Sequence, residues 1–403
     1  MLRATFRSLA GYNYRLWAAG AVVSNIGTWM QRTAQDWIVF TELTHHDAAA
    51  VGFVMALQFG PSLFLLPLSG FAADHFDRRR LLLVSQSLQA VVALGLGILI
   101  VTGRVELWHV YAFALVLGCV TAFDAVARQT FVAELVSDTN LSNAVALNST
   151  SYQVARMVGP AVAGLLIAGV GTGWLFIINA VSFGAVLAAL LAMRVHELHR
   201  HERAARKAGD LIEGFRYVRA RPELFAVLTM LFLVSTLCMN FGVFVSTMAV
   251  TVFAVGSEGF GLLSSMLAVG SMTGALSAAG RERPRAILLV ASAFLLVVLF
   301  TAAALMPRYL AFGFALMAIG WCLQTFMTTA NSTVQLSTDP AMRGRVMAIY
   351  MGIVNGCTLF GAPLVGWVAN HFGARWSLMV GAAAGLLAAL VGMRYRLHER
   401  RAR

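Results

Sequence analysis

Charge is scarce in this chain. Of its 403 residues 12% are Asp, Glu, Lys or Arg, about half the share of ordinary soluble domains, so the sequence lacks the material for a surface that faces water on all sides. Cysteine is scarce too: Cys119, Cys238, Cys322 and Cys357 each stand alone in a separate apolar stretch, which excludes a disulfide framework and a cysteine zinc site. No P-loop or other nucleotide-binding motif is present, which argues against ATP as an energy source. Nor is there a grouping of nucleophile, base and orienting residue, or a metal-ligand cluster, which argues against an enzyme. The histidines at 196, 199 and 201 read as part of a solvated basic linker rather than a metal site.

What is abundant is apolar: 59% of residues are hydrophobic and the mean hydropathy is +0.76, which describes an integral membrane protein. Apolar stretches recur near 16 to 40, 49 to 73, 81 to 102, 107 to 127, 142 to 168 and 173 to 193. Six more follow near 222 to 250, 259 to 280, 286 to 306, 308 to 331, 344 to 370 and 374 to 393. Each is long enough as a helix for a hydrocarbon core of ~30 Å, and too long and continuous for a barrel strand. The expected fold is all-α, with twelve transmembrane helices.

The last sixty residues repeat the middle of the chain at an offset of 202. Ala146 falls on Ala348, Gly159 on Gly361, Gly164 on Gly366, Gly171 on Gly373 and Trp174 on Trp376. Glycines matched inside apolar stretches are positions where helices approach closely, so the repeat predicts two pseudo-symmetric six-helix bundles. The expected organisation is a first bundle over 1–193, a cytoplasmic connector over 194–221 ending in an amphipathic helix with Leu211, Phe215 and Val218 on one face, and a second bundle over 222–403. Of the 30 Lys and Arg, 25 lie in the N-terminal arm, alternate loops and the tail, against Arg104, Arg308 and Arg375 in the opposite loops. That bias places both termini and the connector in the cytoplasm, and the expected location is the inner membrane of a bacterium. The basic charge therefore sets topology and does not call for nucleic acid. The first span, with Asn25, Gln31 and Arg32, is too long and polar for a cleaved signal.

Between the second and third spans stands Gly70-Phe-Ala-Ala-Asp74-His75-Phe-Asp77-Arg78-Arg79-Arg80. This stretch resembles the signature loop of the major facilitator superfamily, with His75 and Asp77 in place of its usual basic residue and glycine. Gly159-Pro160 with Gly164 resembles that superfamily's antiporter-associated motif. The stretches from Asp124 through Arg128 to Glu134, from Asn143 to Asn148, at Arg156-Met-Val-Gly-Pro and at Arg343-Gly-Arg345 are similar to the drug and siderophore exporter branch, which includes the enterobactin exporter and macrolide efflux proteins. The resemblance covers essentially the whole chain. It implies secondary-active export by alternating access, driven by proton antiport. It also implies a cytoplasmic gate of Gly70, Asp74, Arg78, Arg79, Asp124 and Arg128, in which Arg128 partners Asp74. Arg79 and Arg80 could equally be positive-inside anchors, and Asp124 with Arg128 an interfacial i,i+4 pair. A facilitator or importer, or a sensor without transport, stands as the alternative.

Arg156 lies deep in the fifth span, where a charge costs on the order of 3 kcal/mol, while its repeat mate is Thr358. A cost borne in one half alone argues for a task. Arg32 and Asp36 share a face of the first span, and Asp36 is either the proton-coupling carboxylate or a partner for Arg32 or Arg156. Two arginines against one acid favour neutral or anionic substrates over cations. The second half carries no charge deep in its spans, so its expected share of the substrate site is polar and soft, with Asn240, Trp321 and Gln324. The partners expected are a bulky amphipathic small molecule, protons and lipid, with no cofactor, metal or nucleic acid, and the chain is expected to act as a monomer.

Overall fold

The computed structural model describes residues 6–199, 210–279, 286–340 and 342–402. Among them every regular element is helical. Ten helices are long and apolar enough to cross a membrane, and the bent pair Ala48–Phe64 with Leu66–Ala73 makes an eleventh. The remaining span, Tyr12–Ile38 with a π-helical turn at Val39–Leu43, reaches about 40 Å over its 27 helical residues. Composition does not mark it because Asn25, Gln31, Arg32, Gln35 and Asp36 dilute its apolar character. Ser24, Gln31, Thr33 and Gln35 are nevertheless buried, so the polarity faces protein rather than lipid. Large apolar side chains such as Val91, Leu165, Val181, Leu191 and Phe314 are exposed around the outside, as a lipid-facing surface requires.

Three spans are interrupted. The second bends by 58° between Phe64 and Leu66, where Pro67 removes a backbone donor and crowds the preceding turn. The seventh breaks at Met239 and Asn240, between Pro222–Cys238 and Phe241–Thr247, and the eleventh at Cys357, between Arg343–Gly356 and Thr358–Phe372. Pro160 sits inside Asp138–Val170 without breaking it.

The two halves share backbone detail that residue identity does not display. Gly171 and Gly373, 202 apart, both take left-handed φ, 87° and 97°, and each ends one span and opens the next. Earlier in each half the offset becomes 209. The π-helical turns Val39–Leu43 and Met248–Val252 correspond, His45 (φ 49°) matches Ala254 (φ 51°), and His46 N–H to Phe40 O matches Val255 N–H to Ala249 O. Non-glycine residues seldom adopt such φ values, so the matched pair is a strong sign of common descent in the loop geometry.

The same symmetry fixes how the halves cross. Gly52 of the second span lies against Ala362 O of the eleventh, and Gly261 of the eighth against Pro160 O of the fifth, each without room for a β-carbon. Positions 160 and 362 are again 202 apart, so one close crossing is made twice. Gly164 and Gly366 complete it, against Ser257 O and Ala48 O.

The connector helix Asp210–Ala220 docks on the second half, with Gly214 against Arg345, Arg345 paired to Glu213 at 2.9 Å, and Arg221 paired to Asp339 at 2.7 Å. The expected apolar face is divided: Val218 is buried in this dock, whereas Phe215 and Ile212 point outward. The physical reason is Gly214, whose lack of a side chain lets the helix lie on Arg345 with the Gly214 and Val218 face inward. The side chain of Leu211 and residues 200–209, with His201, are outside the described set.

Candidate functional site

A cavity of about 710 Å³ lies between the halves. Its walls reach Arg128, Gln129 and Val132 at the end of the fourth span and Val145, Asn148 and Ser149 at the start of the fifth, so it opens toward the end of the bundle that carries the connector. The opposite end is shut. There Asn370 Nδ2 donates to Asp47 Oδ1 at 2.6 Å, Ala48 N–H donates to Asn370 Oδ1 at 2.8 Å, and Trp37 meets Phe260 with ring centres 5.7 Å apart. Ser257 Oγ donates to Gly164 O at 3.1 Å and Ser265 Oγ to Met157 O at 2.8 Å, both between the eighth and fifth spans.

The lining is lopsided and rich in carboxamides. Nine Asn or Gln side chains reach it, eight from the first half (Asn25, Gln31, Gln58, Gln89, Gln129, Asn148, Gln153, Asn179) and one, Gln324, from the second, which otherwise adds Ala275 and Met351. Amides offer donors and acceptors without net charge, a wall that can hydrogen-bond many orientations of one ligand. Some are fixed: Asn179 Nδ2 donates to Gln31 Oε1 at 2.6 Å.

Of the residues singled out from sequence, Arg32, Asp124, Arg128 and Gln324 line this cavity. Asp124 is buried; its Oδ1 accepts from Ser85 Oγ and Gln86 Nε2, each at 2.7 Å, and its Oδ2 from Arg128 Nε at 3.3 Å. The Arg128 guanidinium also lies 5.3 Å from the Trp17 ring centre. Asp124 and Arg128 thus form the i,i+4 pair within a larger network. The backbone of Asp74 is in Leu66–His75 with Gly70, but its side chain is outside the described set, and the pairing with Arg128 with it. Arg78 bonds Glu134 Oε1 at 2.7 Å and Arg79 bonds Leu190 O at 2.8 Å, which ties the loop to the ends of the fourth and sixth spans. Asp77, where the resembled motif has glycine, caps the third span by accepting from Arg80 N–H at 2.9 Å.

Arg156 meets the Trp29 ring at 5.5 Å, and Arg32 meets the same ring at 5.0 Å. Gly159 makes this possible. Its missing β-carbon lets the fifth span seat against Trp29 Cβ and Ile26 O, one turn from Arg156. Asp36 is not bonded to either arginine within 4 Å; its Oδ2 lies against Gly242 of the seventh span, beside Met55 Sδ, off the cavity and toward the shut end. Two expected lining residues are elsewhere. Asn240 is fully buried and donates to Thr236 O at 2.7 Å beneath Gly361, and Trp321 turns its Nε1 to Ser277 Oγ at 3.3 Å. Each donates its N–H locally in the helix packing, though Asn240 Oδ1 is buried without a donor, and a polar residue inside an apolar span does not advertise such a local bond in sequence. Trp29, Tyr152 and the eight carboxamides of the first half were not expected at the site, though Asn25 and Gln31 mark the first span as polar; the signal available for the amides was their cost in hydrocarbon.

The long apolar helices, the pseudo-twofold repeat and the cavity between the halves, open at one end, fit a membrane transporter of the major facilitator type. The chain belongs to the transmembrane secretion effector family, whose sequence pattern matches residues 4–403. It is 26% identical over 254 residues to the staphyloferrin A transporter of Staphylococcus aureus, covering 62% of this chain and 63% of that protein's length. It is 24% identical over 335 residues to the enterobactin exporter EntS of Shigella flexneri, covering 81% and 78%. In fold it is similar to the nucleoside transporter NupG, with TM-score 0.75, 14% identity and coverage of 95% and 99%. A bacterial homologue of the human lysosomal transporter Spinster, in an inward-facing and unoccupied conformation, gives TM-score 0.71, 14% identity and coverage of 95% and 97%.

Proposed function

We propose that this protein is a secondary-active exporter that moves a bulky amphipathic small molecule, siderophore-like or drug-like, out of the bacterial cytoplasm by alternating access. In this reading it works as a monomer in the cytoplasmic membrane, with the connector and both termini inside. The observation that carries it is the one-ended cavity, open beside the connector and shut at the far end by a crossing that the repeat makes twice. Export is the direction in the printed name of the enterobactin relative.

Proton antiport is the energy source proposed, with Asp36 as the coupling group. Its carboxyl lies at the seam between the first and seventh spans, one turn beyond the cavity residue Arg32. A neutral acid is cheaper than a carboxylate against the apolar surface of Gly242 and Met55, so a proton taken up outside favours closing the far end. Once the near end opens, the path back along Arg32 leads the proton to the cytoplasm. Asp74, Arg78, Arg79, Asp124 and Arg128 serve as the inner gate in this cycle.

Inverted membrane vesicles test the reading. Enterobactin, as the probe, should accumulate inside them when a proton gradient, acid inside, is imposed, and Asp36→Asn should remove the gradient dependence while leaving the protein in the membrane. Equilibration of the probe regardless of the gradient would make the chain a facilitator, and no movement of it or of a macrolide probe would leave a sensor or assembly role.

A further inference from the structure

A guanidinium inside a membrane protein needs a counter-ion, hydrogen-bond acceptors or water. Arg32 and Arg156 come from different spans and converge on one indole, with Cζ 5.0 and 5.5 Å from the Trp29 ring centre. Phe59 lies 5.3 Å from Arg32 Cζ, and Tyr152 meets Trp29 edge-on at 5.8 Å. Neither arginine makes a hydrogen bond or an ion pair with a described residue, and Arg32 Nε is buried without an acceptor. Of the nearby acids, Asp124 is bonded to Ser85, Gln86 and Arg128, while Asp36 attracts Arg32 through space but lies against Gly242 without an ion pair to it.

Cation–π contact with an indole contributes about 0.5 to 2 kcal/mol per arginine, which does not offset both the desolvation of two guanidiniums and their mutual repulsion. Yet the fold spends a glycine, Gly159, to bring Arg156 onto Trp29. Two convergent forks of N–H donors on an aromatic base, beside a wall of uncharged amides, match one kind of ligand: a planar oxyanion carried on an apolar or aromatic body.

We infer that Arg32, Trp29 and Arg156 form the recognition site for a carboxylate of the transported molecule, with Phe59 and Tyr152 receiving its apolar part. This rests on the transport reading only in that the cargo enters the same cavity, of which Arg32 and Tyr152 are lining residues and Trp29, Phe59 and Arg156 are not. The indole holds both guanidiniums in place, so little side-chain freedom is lost when the carboxylate arrives. Lipophilic cations are disfavoured by the same pair.

Binding measured without transport tests the site. Purified full-length protein in detergent is titrated calorimetrically with 1-naphthoate and with 1-naphthamide, which share a body and differ in charge. Wild type should bind naphthoate roughly tenfold or more tightly than the amide, the worth of one charge-assisted contact. Arg32→Gln and Arg156→Gln should each shrink that preference to about twofold or less while amide binding holds, and Arg156→Lys should keep part of it, since the charge stays and the fork is lost. Trp29→Leu should weaken naphthoate more than naphthamide. Equal binding of the two probes by wild type overturns the site with no variant needed, as does an undiminished preference in both Gln variants. Selective binding without movement in vesicles would instead defeat the export reading and leave the site standing.

Discussion

At the scale of single residues, the buried carboxylate of Asp124 carries the clearest stability consequence. It accepts three side-chain donors, and its partner Arg128 has an Nη1 that is buried with no acceptor. Asp124→Asn keeps the shape but leaves a guanidinium without its counter-charge and turns an acceptor into a donor facing Gln86 or Ser85. Breaking such a pair costs about 3 kcal/mol. The thermal unfolding midpoint in detergent, followed by exposure of buried Cys238 and Cys322 to a thiol dye, should fall by several degrees. An unchanged midpoint would mean that cavity water hydrates Arg128 adequately by itself. Residue chemistry also explains which residues sequence makes conspicuous. Arg32 and Arg156 stood out because a charge in a span is expensive wherever it points. Asn240 and Trp321 lie off the cavity, each donating to a neighbouring turn or helix, a placement that their polarity does not reveal.

At the scale of elements, the far end of the cavity depends on the start of the second span meeting the end of the eleventh. Asp47 accepts from Ala49 N–H and Ala50 N–H as a helix cap and also from Asn370 Nδ2, while Asn370 Oδ1 accepts from Ala48 N–H. The two side chains can be separated experimentally. Asn370→Ala removes the two bonds between the halves and leaves the Asp47 cap, whereas Asp47→Ala removes one of them and also uncaps the second span, at a cost of about 1 kcal/mol. Both should raise labelling of a cysteine placed at Thr251, in the cleft beside Asn370, by a membrane-impermeant thiol reagent in a background without native cysteines. Only Asp47→Ala should also lower the unfolding midpoint. Labelling that stays at the wild-type level in both would show that the glycine crossings at Gly52 and Gly261 hold this end shut unaided.

At the scale of the whole molecule, the proposed orientation rests on charge. The connector and the tail from Arg394 hold thirteen of the 30 basic residues, and translocating them across the membrane is opposed during insertion. A reporter inserted after residue 205 that requires the cytoplasm should be active, and one that requires the outside silent. The reverse result would invert the reading of the cavity from inward-open to outward-open, and export would become uptake.

What the sequence by itself determined is the solvent, the helical class and the later part of each repeat. Apolar length and scarce charge leave few other solutions, and glycines at close crossings cannot drift without collision, so Gly159 and Gly361 still align by eye. The earlier part of the repeat is visible only in three dimensions. His45 and Ala254 share a left-handed backbone with no shared side chain, because the turn is held by backbone bonds to Phe40 O and Ala249 O at the following residue, and those bonds constrain no residue type. Tertiary structure alone decided which polar residues meet. Trp29 is an ordinary aromatic until the fifth span closes on it at Gly159, and the first half's amides become one wall only when six helices bring them together. Spacing along a helix reports which side chains share a face, but what that face looks onto depends on partners dozens to hundreds of residues away.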